Sequence, residues 1–245
     1  MRRLPIALIG AVSAIVFTQI ASAADMTTPA TFAARAYIAR PYIWSGCYIG
    51  IEGGGNWGRS KHTDITSPNP VVVGLPITND FGLSGGLFGG TVGCNYQVVG
   101  NWVFGIENDF SWTSKQGSAS DLPPFGPATS QTSEKWLDTL RGRIGVAWDR
   151  ALFYGTGGVA FAGTAVDVCA PGACVSDSQT RTGWVGGIGI EYSVWQNVFF
   201  KIEYLHADFG TSRYIDPSVT LLRVVPRNVS LTDEIVRIGI NYKLY

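Results

Sequence analysis

Few side chains in this chain of 245 residues have types that do chemistry. There are two histidines, four cysteines, and 18 acids set against 18 bases. Glu52, Glu107, Asp109, Glu191 and Glu203 stand within apolar stretches, and so do Arg141, Arg143, Arg181, Lys201, Arg237 and Lys243. Five carboxylates facing six cations would make either an ion-pair network or the lining of a pore. His206, two residues before Asp208, sets a base beside an acid, but no nucleophile elbow accompanies it. The reading favours an ordinary interface histidine over a catalytic one. His62 is a lone loop histidine, ordinarily solvated. No Cys-x-x-Cys motif or histidine cluster offers a metal site, and neither metal nor cofactor is expected.

The elements that hold these charges show why they matter. In Trp102-Val-Phe-Gly-Ile-Glu-Asn-Asp-Phe-Ser-Trp112, large apolar residues fall on every second position and Glu107, Asp109 and Ser111 fill the gaps. A period of two is a strand with one apolar and one polar face. The pattern recurs near 46–57, 84–96, 134–149, 151–166, 179–193, 197–208 and 232–245, which with 101–113 makes eight strands. The opposite parity collects the five acids and six bases above, among Gly, Ser, Thr and Asn. On the apolar parity, charge occurs only near strand ends, as at Asp138.

A β-sandwich or lipocalin would scatter its charges over a solvated face. Here they are matched, and the apolar band ends in aromatic rings. Tyr96, Trp102, Trp148, Phe153, Tyr192 and Tyr242 would form one girdle, and Trp57, Trp112, Trp136 and Phe161 the other. Trp and Tyr favour membrane–water interfaces, where one end of the ring is apolar and the other wet. With the apolar face in lipid, every backbone polar group must pair internally, which strands achieve only as a closed barrel. The fold expected is an all-β, eight-stranded antiparallel transmembrane β-barrel. Long segments at 58–83, 114–133, 167–178 and 209–231 would be extracellular loops. The tight turns at 97–100, 149–150 and 194–197 would be periplasmic.

The N-terminus agrees. Arg2 and Arg3, an apolar run from Leu4 to Ile20, and Ala21-Ser-Ala23 read as a signal peptide over 1–23, favoured over a single membrane anchor. A periplasmic segment at 24–45 and a barrel at 46–245 would follow. Export makes two disulfides reasonable. Cys169 and Cys174 bracket the turn sequence Ala-Pro-Gly-Ala. Pairing Trp57 with Ser84 across the first hairpin brings Cys47 opposite Cys94, at separations a disulfide can close. The alternative for that pair is two free thiols facing lipid.

Seven motifs, in order, carry a resemblance: Trp44-Ser-Gly-Cys-Tyr-Ile-Gly, Gly89-Gly-Thr-Val-Gly-Cys-Asn-Tyr-Gln97, Phe104-Gly-Ile-Glu-Asn-Asp-Phe-Ser-Trp112, Leu140-Arg-Gly-Arg-Ile-Gly145, Tyr154-Gly-Thr-Gly-Gly158, Lys201-Ile-Glu-Tyr-Leu205 and Val236-Arg-Ile-Gly-Ile-Asn-Tyr242. Together they resemble the small alphaproteobacterial outer-membrane β-barrels, the porin-like outer-membrane immunogenic proteins, a family similar to the membrane domain of outer-membrane protein A. The resemblance implies the outer membrane of a Gram-negative bacterium, without a following peptidoglycan-binding domain. It also implies contact with outer-membrane lipid and lipopolysaccharide, and with the insertion machinery, which reads a terminal aromatic. Gly239-Ile-Asn-Tyr242 fits that signal, although Leu244 takes the aromatic's usual place. Some relatives bind haemin, so the resemblance leaves His62 open as a haem ligand.

Composition narrows the function. Charged residues are 15% of the chain, against roughly 25% in a typical soluble protein, with no basic excess for nucleic acid. An eight-stranded barrel has an interior just wide enough for side chains to fill. The expectation is therefore a non-enzymatic outer-membrane protein with a structural and surface-interaction role, its loops meeting an extracellular ligand or host surface. The alternative is a narrow porin, with inward Gly50, Gly54, Gly187 and Gly189 leaving gaps for water.

Overall fold

A computed structural model of the chain describes residues 42–65, 73–124, 128–214 and 227–244. The expected signal peptide at 1–23, most of the expected periplasmic segment at 24–45 and parts of the expected long loops lie outside those residues. Within them the chain forms β1 (Gly46–Asp64), β2 (Phe81–Gln97), β3 (Trp102–Thr113), β4 (Gln116–Ser120), β5 (Thr129–Trp148), β6 (Ala151–Ala170), β7 (Ala173–Ser193), β8 (Val198–Tyr214) and β9 (Arg227–Lys243). Eight of these close an antiparallel ring in the order β1-β9-β8-β7-β6-β5-β3-β2, and β2 returns to β1. Short β4 lies beyond the end of β3, between β2 and β5.

Alternation fixes which way each strand faces. Ile106, Ile188, Ile202 and Ile238 are all more than 60% exposed, whereas Glu107, Glu203 and Arg237 on the neighbouring parity are 1% exposed. The apolar parity is the outer surface and the charged parity fills the ring. The two aromatic girdles are also in place, with Trp102, Trp148 and Tyr242 exposed at one end and Trp57 and Trp112 at the other. Trp184 joins the latter group.

The first hairpin has the expected register, with Trp57 opposite Ser84 and Cys47 opposite Cys94. Both predicted disulfides are formed, Cys47–Cys94 and Cys169–Cys174.

The strands run further than alternation alone suggested. β1 continues seven residues past Trp57 to Asp64, and β5 begins seven before Trp136, at Thr129. The 167–178 stretch is no loop: β6 and β7 pair up to Ala170 opposite Ala173, around a two-residue turn. Gly172 takes φ +93°, a left-handed conformation that suits glycine. Beyond the girdle the outward residues are polar or small, as at Arg59, Lys61 and Asp167, while Val166, Val168, Tyr214 and Val229 pack inside, so the apolar-out period that marks a membrane strand is missing there.

Candidate functional site

The ring's interior is stacked in layers, and each layer follows from the side chains the inward parity supplies at that height. At the end with the tight turns, Trp44, Tyr48, Val103, Leu152, Tyr154 and Phe199 form an apolar plug. Trp44 comes from the segment before β1, and its ring meets Phe199 edge-on at 5.5 Å. Two hydrogen bonds hold that segment, Trp44 N–H to Gln97 and Gln97 N–H to Ser45.

Above the plug lie nine charged groups. Arg141 donates to Glu107 at 2.6 Å, Asp109 at 2.5 Å and Glu203 at 2.8 Å. Arg237 reaches Asp109 at 2.7 Å, Glu203 at 2.6 Å, and Glu52. Lys201 sits 3.0 Å from Glu52 and 3.3 Å from Glu107. Arg143 joins Glu107 at 3.0 Å to Glu191 at 2.7 Å and stacks 4.0 Å above the Tyr154 ring. Tyr48 and Tyr154 donate hydroxyl hydrogens to Glu107 and Glu203, tying plug to network. Buried charges demand this density of partners, because an unpaired one carries a large desolvation cost.

Two of the predicted interior bases stand elsewhere. Arg181 is buried but lies beyond the outer girdle, where it donates to the carbonyls of Phe209, Gly210 and Val229. Phe209 and Gly210 lie in a bulge of β8 between Asp208 and Thr211, where regular pairing with β9 lapses. Lys243, at the opposite end, donates to the Ile43 carbonyl. The network thus joins Glu52, Glu107, Asp109, Glu191 and Glu203 to four bases rather than six.

A further layer leaves no mark in the alternation of the sequence. Leu87, Leu137, Val185, Leu205, Leu231 and Ile235 point inward and pack into an apolar stratum above the charges. Over it, Lys115 is buried between Glu134 at 2.7 Å and Asp233, and Asn56 donates to Glu134 at 3.0 Å. Nor do the inward glycines leave gaps. A Cβ at Gly50 would strike Asn241 at 1.8 Å, and one at Gly189 would strike the Tyr154 ring at 2.4 Å.

His62 is placed differently from a solvated loop residue. It is fully buried in the extension of the ring, with Nε2 3.0 Å from the Thr132 hydroxyl and Nδ1 3.4 Å from Arg227. Burial, helped by Arg227, lowers its pKa to about 3. The unfolded ring titrates near 6.5, so between roughly pH 3 and 6.5 the unfolded chain binds a proton that the folded one does not. Stability from this group is full above about pH 6.5 and declines as pH falls through that window. Unfolding rates in detergent should rise on acidification across this range, and His62→Gln should flatten the rise. An unchanged profile in the variant would contradict a buried neutral ring.

His206 faces outward at the girdle, and its acid partner is Glu234 at 2.8 Å rather than Asp208. Tyr204 also donates to Glu234, and the Trp184 ring lies 5.3 Å from the imidazole. Asp208 accepts the Gly210 N–H at 2.7 Å. Among the described residues, no three His, Cys, Asp or Glu side chains are placed to hold a metal.

Comparison with known proteins bears on this architecture. Residues 30–242 match the outer membrane protein beta-barrel domain family. The chain is 32% identical over 241 residues to the 31 kDa outer-membrane immunogenic protein of Brucella melitensis, covering 94% of this chain and 96% of that one. It is 26% identical to the 25 kDa outer-membrane immunogenic protein of Brucella abortus, over 99% and 100% of the two chains. Among solved structures, the outer membrane protease OmpT of Escherichia coli superposes with a TM-score of 0.50 at 8% identity. That match covers 83% of this chain and 98% of OmpT, and it is a likeness of fold.

Proposed function

Because the chain belongs to the outer membrane protein beta-barrel domain family and is a barrel of the outer membrane, we propose that it is a closed envelope barrel serving surface contact rather than transport. The observation that carries this reading is the filled interior. An apolar plug, a nine-charge network and a second apolar stratum succeed one another along the axis. Water in transit would have to cross two layers with few polar groups to replace its lost hydrogen bonds.

Activity is then sought at the outer end. There the strands rise past the girdle as a walled extension, and the disulfide Cys169–Cys174 staples its β6–β7 hairpin. Loops and strand ends at this end carry the exposed, variable surface on which an extracellular ligand or host surface would act. The Brucella relatives are named as immunogenic, which fits a chain that presents itself outside the cell. A non-catalytic role is the reading that agrees with those names. It also agrees with His206, whose acid partner Glu234 is held by Tyr204 as well. In this reading residues 1–23 are removed on export, the insertion machinery seats the barrel, and the outer girdle meets lipopolysaccharide.

Planar-bilayer recordings of the refolded barrel test it. No steady, voltage-independent current should appear at protein levels where a porin conducts. A reproducible ohmic step would establish the narrow porin instead.

A further inference from the structure

One wall of the barrel carries polar groups where lipid should be. Asp138 on β5 lies on the outward parity, one pleat inside Trp136, with Phe110 opposite it on β3 and Phe161 on β6. Asn108 of β3, on the same outer face, donates to Asp138 at 2.7 Å and to the Thr139 carbonyl at 3.0 Å. No cation of the chain is paired with Asp138 among the described residues. On the opposite wall, by contrast, outward Glu234 is held by both Tyr204 and His206. A carboxylate facing acyl chains is costly, and such residues mark functional surfaces in membrane proteins.

The matching cation is on the same strand. β5 bulges between Glu134 and Trp136, and the bulge turns Lys135 outward, exposed beside the girdle. Lys135 stands three residues outward of Asp138. That is roughly 10 Å along the strand and about 7 to 8 Å in depth at the usual barrel tilt. A flexible lysine stem spans most of such a step.

A third feature lies just below. Gly142 and Gly157 oppose each other on β5 and β6, and Gly157 opposes Gly186 on β7, all on the outer parity. A Cβ at Gly142 would meet nothing nearer than 3.9 Å, and one at Gly157 nothing nearer than 3.7 Å. The barrel itself has room for side chains there, so its own packing does not require this bare strip. A neighbour approaching backbone to backbone would.

We propose that the β3–β5–β6 wall is where two copies of this chain pair about a twofold axis along the membrane normal, each Asp138 meeting the Lys135 of the other copy. Such an axis keeps every residue at its own depth. It also makes the contact self-complementary, so one acid and one lysine on a single strand suffice for two ion pairs. The aromatic rings around Asp138 shield both pairs from water, and the glycine strip lets the walls close.

The test uses the mature chain in lipid vesicles, with donor- and acceptor-labelled copies and energy transfer as the readout. The native chain should self-associate. Asp138→Lys and Lys135→Asp, each creating like-charge contacts, should each weaken association at least roughly tenfold, and the double swap should restore it. Gly142→Trp, at a site with room for a side chain, should block pairing while the unboiled protein keeps its compact gel mobility. It supplies an independent arm if a charge variant fails to fold. A native chain that stays monomeric would overturn the proposal. So would single swaps without effect, a folded double swap that does not recover, a folded Gly142→Trp that still pairs, or cross-links from this wall in native membranes that reach only a different protein.

Discussion

Replacing Arg141 with Ala should destabilise the barrel by about 3 to 5 kcal/mol, the usual loss when one member of a buried ion pair is removed. The guanidinium touches Glu107, Asp109 and Glu203, and all four groups are at most 1% exposed. Without it, Arg143, Lys201 and Arg237 remain as the nearest cations for three carboxylates. Arg181 supplies the contrast, since its hydrogen bonds run to neutral backbone carbonyls. Arg181→Ala should cost only about 1 to 3 kcal/mol, the desolvation penalty of unsatisfied acceptors. Urea unfolding in lipid bicelles, followed by the gel mobility of unboiled samples, gives both values. A near-neutral Arg141→Ala would mean that water reaches the network.

Lys115→Met is the second large effect, again about 3 to 5 kcal/mol. Lys115 is fully buried, as are its partners Glu134 and Asp233. Its loss leaves two acids facing each other with only Asn56 donating to Glu134. Adding Glu134→Gln to Lys115→Met should recover much of the loss, because one of the two stranded charges is then gone. Additive losses in the double variant would show that the three groups do not act together.

Alternation made the membrane part of this fold legible. In β3 the apolar residues Trp102, Phe104, Ile106, Phe110 and Trp112 specify the outer face without help from elsewhere, because a one-residue slip would put Glu107 and Asp109 in lipid. The same rigidity gave the register that joins Cys47 to Cys94. Parity, however, says which side a residue takes and not its height. Parity therefore groups Arg181 and Lys243 with the network, although one lies above the girdle and the other at the opposite rim. Inward Leu205 and Ile235 sit beside outward Tyr204 and Val236. Apolar residues on both faces erase the alternation, so the apolar stratum did not show. In the extension, Thr129-Ser-Gln-Thr-Ser133 is polar on both faces, since its outer side meets water. His62, Lys115 and Arg227 lie in segments whose composition reads as loop, and Glu134 stands at the very start of the alternation in its strand.

The inverted, filled barrel is tested most directly by nuclear Overhauser contacts of methyl-labelled protein in bilayer nanodiscs, with no substitution needed. The Ile106, Ile188, Ile202 and Ile238 methyls should show cross-peaks to lipid acyl chains. Those of Val185, Leu205, Leu231 and Ile235 should show none to lipid and none to water. Water cross-peaks along that inner set would reveal a hydrated lumen, and lipid cross-peaks there would reverse the two faces of every strand.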